Sequence, residues 1–91
     1  MIIEIDDGTI QVIKDMMKQE NIYTLRIDYD ENTWSNLSFM AVLDAQNEND
    51  LEFEYKGIKI IAARQIDMIV SKVVIGNQKS PKGVKLILNW E

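Results

Sequence analysis

The sequence predicts an α+β domain in which one long helix lies on a largely antiparallel or mixed sheet. Three observations carry that prediction. Leu25, Ile27 and Tyr29 alternate with Arg26 and Asp28, and Leu37, Phe39, Ala41 and Leu43 repeat the alternation beyond a polar loop. That is the period of two half-buried strands. Ile10, Ile13 and Met17 recur instead at helical spacing, and Val84, Leu86, Leu88 and Trp90 return to strict alternation at the end of the chain.

Residues 1–5 open as a short apolar strand, and Asp6 or Asp7 then stands where a helix N-cap belongs. Val12 and Met16 widen the apolar stripe of the helix, while Lys14, Asp15, Lys18 and Gln19 fill its opposite face. This spacing predicts an amphipathic helix of about three turns. Asn21 is a left-handed terminator ahead of Tyr23, where the central strand pair begins.

After Leu43 the segment 44–50 has no apolar period and is a polar connection. Leu51, Phe53 and Tyr55 alternate with Glu52 and Glu54 as a third strand of the central group. Lys56-Gly57 makes a tight turn, because glycine accepts positive φ without steric cost. Residues 58–61 return as the other arm of a hairpin. Residues 62–70 read as a short second helix with Ile66, Ile69 and Val70 as its apolar face, and 72–75 as a brief strand. Segment 76–83 carries every turn signal and is expected to be a loop.

Six to seven short strands result, within a single domain spanning residues 1–91. Met40, Val42 and Ile87 fall on the opposite parity from the main apolar sets of their strands. Either two sheets pack together, or these side chains form an exposed patch available to a partner.

Composition narrows the function. The ninety-one residues hold fifteen acidic and ten basic side chains, a net charge of −5, and neither cysteine nor histidine. The acidic balance argues against nonspecific binding to nucleic acid or anionic lipid. No apolar run reaches the roughly 18–20 residues of a membrane span, and the N-terminus lacks the basic and apolar regions of a signal peptide. A cytoplasmic protein is expected. Without cysteine or histidine there is no thiolate nucleophile, no disulfide and no Cys/His zinc site. The usual general base at neutral pH is missing as well.

The remaining motifs are weak. Asp28, Asp30 and Asn32 have the spacing that opens a calcium-binding loop, but Thr33 replaces the needed glycine and Phe39 the bidentate glutamate. Solvated carboxylates are the plainer reading of these three. Asp44, Glu48, Asp50, Glu52 and Glu54 would suit a weakly held hard cation or a basic partner, or simply form a solvated edge. Lys79, Lys82 and Lys85 lack the interleaved aromatics of a nucleic-acid surface. Ser35 and Ser38 have no histidine to activate them. No catalytic residue is assigned, and the protein is not expected to be an enzyme.

Several stretches together resemble the A-type iron–sulfur carrier, or HesB-like, family. Ile5-Asp6-Asp7 and the run Ile13-Lys14-Asp15-Met16-Met17 are similar to the family's opening strand, cap and helix. Leu25-Arg26-Ile27, Leu37-Ser38-Phe39 and Leu43-Asp44 continue the likeness. Residues 53–60 resemble its F-x-x-D-G-V-K-V hairpin, and Gly83-Val84-Lys85-Leu86 with Asn89 its closing strand. The resemblance covers nearly the whole chain, although each piece is short. It implies a HesB-like fold of mixed β-sheets with one N-terminal amphipathic helix and a second short helix.

The departures bear on function. Cluster-carrying members place one cysteine in a Gly-Gly-Cys-Ser-Gly loop after the second strand and a Cys-Gly-Cys pair near the C-terminus. Here Trp34 stands where the loop cysteine would be, and the sequence ends at Trp90-Glu91, ahead of the pair. The resemblance therefore implies a non-catalytic HesB-like protein, related by ancestry to iron–sulfur cluster biogenesis but without cluster ligands, and so with no cofactor. Its expected action is protein–protein interaction, with a separate partner or as a homodimer.

Trp34 is either a lid folded onto the core or an interface anchor, and Trp90 carries the same two readings. Met40, Val42 and Leu88 complete the candidate partner-binding set. The alternative from a different class is divalent-metal binding or a metal-dependent activity using carboxylates alone, which Mg²⁺, Mn²⁺ or Ca²⁺ would tolerate.

Overall fold

A computed structural model describes residues 1–30 and 37–91. The chain runs β1 (Ile2–Ile5), α1 (Asp7–Glu20), β2 (Thr24–Tyr29), β3 (Phe39–Leu43), β4 (Leu51–Tyr55), β5 (Ile58–Ala62), α2 (Arg64–Ile69), β6 (Lys72–Ser80) and β7 (Gly83–Trp90). The strands form two sheets, one ordered β1-β6-β7 and the other β3-β2-β5-β4. Both are mixed. β1 pairs with β6, and β2 with β5, in parallel, while the hairpin partners are antiparallel.

The signals that delimit α1 act as the sequence predicts. The Asp6 side chain accepts a hydrogen bond from the backbone N–H of Thr9 at 2.8 Å, satisfying one of the unpaired donors of the first turn. Asn21 ends the helix in the left-handed conformation, φ 56°, and its N–H bonds to the Met17 carbonyl. Between these caps, Ile10, Ile13 and Met17 are buried in one cluster with Ile5, Leu25, Ile27, Ile60, Val73 and Ile75. That cluster draws on both sheets and on α1.

The turn at Lys56 and Gly57 is also as expected, with both residues at positive φ, the geometry that matches the twist of a two-residue hairpin. Three expectations need correction. Segment 76–83 is not a loop. β6 continues to Ser80 and pairs with β7 down to Ser80↔Gly83, leaving Pro81 and Lys82 as the turn. Gly76, Asn77 and Gln78 are poor strand formers in isolation, but cross-strand pairing overrides that preference. The Asn77 amide also donates to the buried Thr9 hydroxyl at 2.8 Å, tying β6 to the start of α1.

Leu37 lies outside β3 and is exposed, because the strand begins only at Phe39. The second helix is limited to six residues, with Ile66 buried but Ile69 exposed. Ala62 belongs to β5 instead, where it sits opposite Ile27.

Arg26 departs furthest from its strand pattern. Parity places it on the face of β2 away from the main core, yet it is buried. The sheet order explains why. β3 and β4 are the two edges of their sheet, so connection 44–50 has to cross β2 and β5 to join them. It crosses on the Arg26 side. Ile61, the ladder neighbour of Arg26 on β5, is fully buried on that face too.

Candidate protein-binding groove

β3 and β7 are edge strands of different sheets, and they lie side by side. Among the described residues they exchange no backbone hydrogen bonds. Parts of the two strands come within 8 Å, Cα to Cα. A strand inserted between them would need two spacings of about 4.8 Å, so the seam accepts side chains and not a further strand. A groove of about 710 Å³ runs over it.

Residues from Phe39 to Leu43 form one wall, Lys85 to Leu88 the other, and Met16 and Glu20 of α1 also reach it. Met40 and Val42, more than forty positions from Leu88 in sequence, line this groove together with it, and all three are half-buried. Ile87 lines the same groove and is exposed.

Trp90 closes β7 against the first residue of β3. Its ring meets that of Phe39 edge-on, with centroids 4.8 Å apart and planes at 88°. Phe39 in turn packs against Tyr29 at 5.4 Å. Trp90 is half-buried against the core, so much of its surface is committed inside the molecule. Trp34 and Asn32 lie outside the described residues.

The acidic residues behave differently from one another. Arg26 donates from Nη1 and Nη2 to the two carboxylate oxygens of Asp50, at 2.9 and 2.7 Å. It also donates from Nε to Asp44 at 3.0 Å and from Nη2 to the Ala45 carbonyl at 2.7 Å. Asp50 further accepts the Asn47 N–H at 2.7 Å. The bonds from Arg26, with help from Asn47, hold the Asp50 carboxyl below the usual carboxylate range although burial opposes them. The Asp50 bonds likewise raise Arg26 above its already high value.

Asp44 and Asp50 therefore clamp a loop. Glu52 faces Lys59 at 3.7 Å, and Asp28 accepts the N–H of Tyr29. Among the described residues no three acidic side chains converge in a way that would hold a metal ion. The sequence signal for the clamp is an arginine between the apolar residues Leu25 and Ile27, with aspartates at both ends of connection 44–50.

The Phe39–Trp90 contact brings the end of β7 to the start of β3. No protein-family model matches the sequence, and no curated protein matches it.

Solved structures do match. A crystal structure of IscA with a [2Fe-2S] cluster superposes with a TM-score of 0.78 at 15% identity, over 98% of this chain and 85% of that one. The chain has the HesB-like fold of the A-type iron–sulfur carriers.

Two further structures share it. A protein from Aquifex aeolicus gives a TM-score of 0.70 at 22% identity, over 97% of this chain and 90% of its own. SufA of Escherichia coli, involved in biosynthesis of iron–sulfur clusters, gives 0.68 at 14% identity, over 99% and 79%. Likeness at these identities concerns the HesB-like backbone alone. The donor set does not follow it. A [2Fe-2S] cluster needs thiolates, with imidazole as an occasional replacement, and these ninety-one residues contain neither. Among the described residues, no helix is long and apolar enough to cross a membrane.

Proposed function

We propose that this protein is a non-catalytic HesB-like protein that works without a cluster, by binding a protein partner or a second copy through the β3–β7 groove. The observation that carries the reading is the joint one: a carrier backbone without thiolate or imidazole donors, and Met40, Val42 and Leu88 along one surface groove. Half-exposed apolar side chains beside polar rims are what protein interfaces use. Trp34 enters the proposal as a second anchor, because Tyr29 and Phe39 on either side of its segment sit at the Trp90 end of the seam. Binding at a cytoplasmic site is part of the same reading. Carboxylate-only metal binding is less well supported, since Asp44 and Asp50 are already held by Arg26.

Two measurements test the proposal. Anaerobic incubation with iron and sulfide, followed by gel filtration, is expected to leave the protein without stoichiometric iron or acid-labile sulfide. Co-elution of both would overturn the cluster-free reading. Affinity capture from the host, with wild-type and Met40→Glu baits, is expected to yield a protein retained by the first and lost by the second. Equal capture by both would remove the groove from the proposal.

A further inference from the structure

Three of the four sheet edges are short or face another strand. β3 and β7 lie against one another along the seam, and β1 has four residues, with Lys56 Nζ donating to its Ile5 carbonyl at 3.3 Å. The outer edge of β4 is different. β5 takes one side of β4, and among the described residues no main-chain group of Leu51–Tyr55 bonds to any other segment. Such a row of unpaired N–H and C=O groups is a template for a further strand. A depression of about 370 Å³ lies at this strand, lined by Glu52, Phe53, Glu54, Gly57 and Lys59.

The side chains of β4 restrict what that strand can be. Leu51, Phe53 and Tyr55 are half-buried, with Phe53 and Tyr55 packed against the core, while Glu52 and Glu54 are exposed on the other face. Residues 44–54 hold five acids and no base. Arg26 takes up Asp44 and Asp50, so Glu48, Glu52 and Glu54 give the edge its charge. Glu48 and Glu54 have no ion-pair partner among the described residues, and Glu52 has the Gln46 amide and the 3.7 Å approach of Lys59. Two copies of this chain joined through β4 would set glutamates beside glutamates, which repels. A strand with basic side chains at alternate positions is attracted instead.

We propose that the free edge of β4 binds an extended segment of another protein in which lysine or arginine alternates with β-branched or aromatic residues. The segment adds to the sheet as a further strand beside β4. Its main chain pairs with the free N–H and C=O groups and supplies the hold. Its basic side chains fall on the face of Glu52 and Glu54 and supply the selection, and its apolar side chains fall on the opposite face beside Phe53 and Tyr55. The five residues of β4 set the length of the segment at about five or six residues. β4 and β3 are opposite edges of one sheet, so this site is separate from the β3–β7 groove.

The test is an amide NMR titration of the full chain with a capped synthetic peptide, Lys-Val-Lys-Val-Lys-Val-Lys. At about 10 mM salt, saturable shifts centred on β4 and slower hydrogen exchange of its amides are expected, and at about 150 mM the dissociation constant should rise at least about tenfold. The same peptide N-methylated at every peptide bond keeps its charges and loses its N–H groups, and should bind at least about tenfold more weakly. Glu-Val-Glu-Val-Glu-Val-Glu should not bind. Glu52→Lys/Glu54→Lys should weaken the lysine peptide at least about tenfold, whereas Met40→Glu should leave it unchanged, which separates this site from the groove. Absence of saturable shifts at β4 up to about 1 mM peptide overturns the proposal. Undiminished binding of the N-methylated or the glutamate peptide overturns it too, as do shifts centred on the β3–β7 groove. If Glu52→Lys/Glu54→Lys fails to fold, the N-methylated peptide on the wild type decides.

Discussion

The guanidinium of Arg26 and the carboxylate of Asp50 meet through two parallel hydrogen bonds, and each side chain is less than a tenth exposed. The pair holds the 44–50 crossing onto β2 and β5. Removing one partner leaves the other charge buried and uncompensated, so Asp50→Asn should lower stability by about 3 kcal/mol. Asp44 touches the same guanidinium but is 56% exposed, and Asp44→Asn should cost under about 1 kcal/mol. Urea denaturation of the two variants checks the ranking.

The same pair predicts a response to acid. The Asp50 carboxyl is held below its ordinary value of 3.8, so its contribution is complete above that value and disappears as pH falls through the lower folded-state value. Wild-type stability should therefore decline between about pH 5 and about pH 2, and Asp50→Asn should flatten that decline. Thermal melts across that range, run on both proteins, measure it. A parallel decline in both would place the acid response elsewhere.

Thr9 is buried and its hydroxyl is used twice. It donates to Asp6 at 2.8 Å and accepts from the Asn77 amide at 2.8 Å. Thr9→Val keeps the shape and strands the Asn77 donor, which should cost about 1–3 kcal/mol. Asn77→Ala should add little in the Thr9→Val background, because the bond they share is already lost. A double-mutant cycle with a coupling energy near zero would show the bond to be unimportant.

Trp90 and the groove residues should separate. Trp90→Ala removes the edge-on contact with Phe39 and should cost about 2 kcal/mol, whereas Trp90→Phe should cost about half of that. Met40→Glu, on a half-buried surface position, should change stability by less than about 1 kcal/mol. Chemical denaturation distinguishes the two classes before any binding is measured.

Much of the fold is legible locally. The Asp6 cap, the left-handed Asn21, the Lys56-Gly57 turn and the parity of Leu25 and Ile27 each depend on a few neighbouring residues. So does the absence of cysteine and histidine, which is compositional. What fails are the positions where distant chain acts. Residues 76–78 become strand because β7 and Thr9 bind them, and Arg26 is buried because a connection has to pass over it.

The candidate site divides in the same way. Met40, Val42 and Leu88 stand out in sequence by parity or by apolar character, but nothing local shows that they share one groove. The sequence by itself determined the α+β class, the ends of α1 and the lack of thiolate and imidazole donors, because propensity, capping and side-chain chemistry are short-range properties. Only the tertiary structure decided that β3 and β7 lie together, that Trp90 rests on Phe39, and that Asp44 and Asp50 close on Arg26. Those contacts join residues far apart in the chain, and their energy exists only once both partners are brought together.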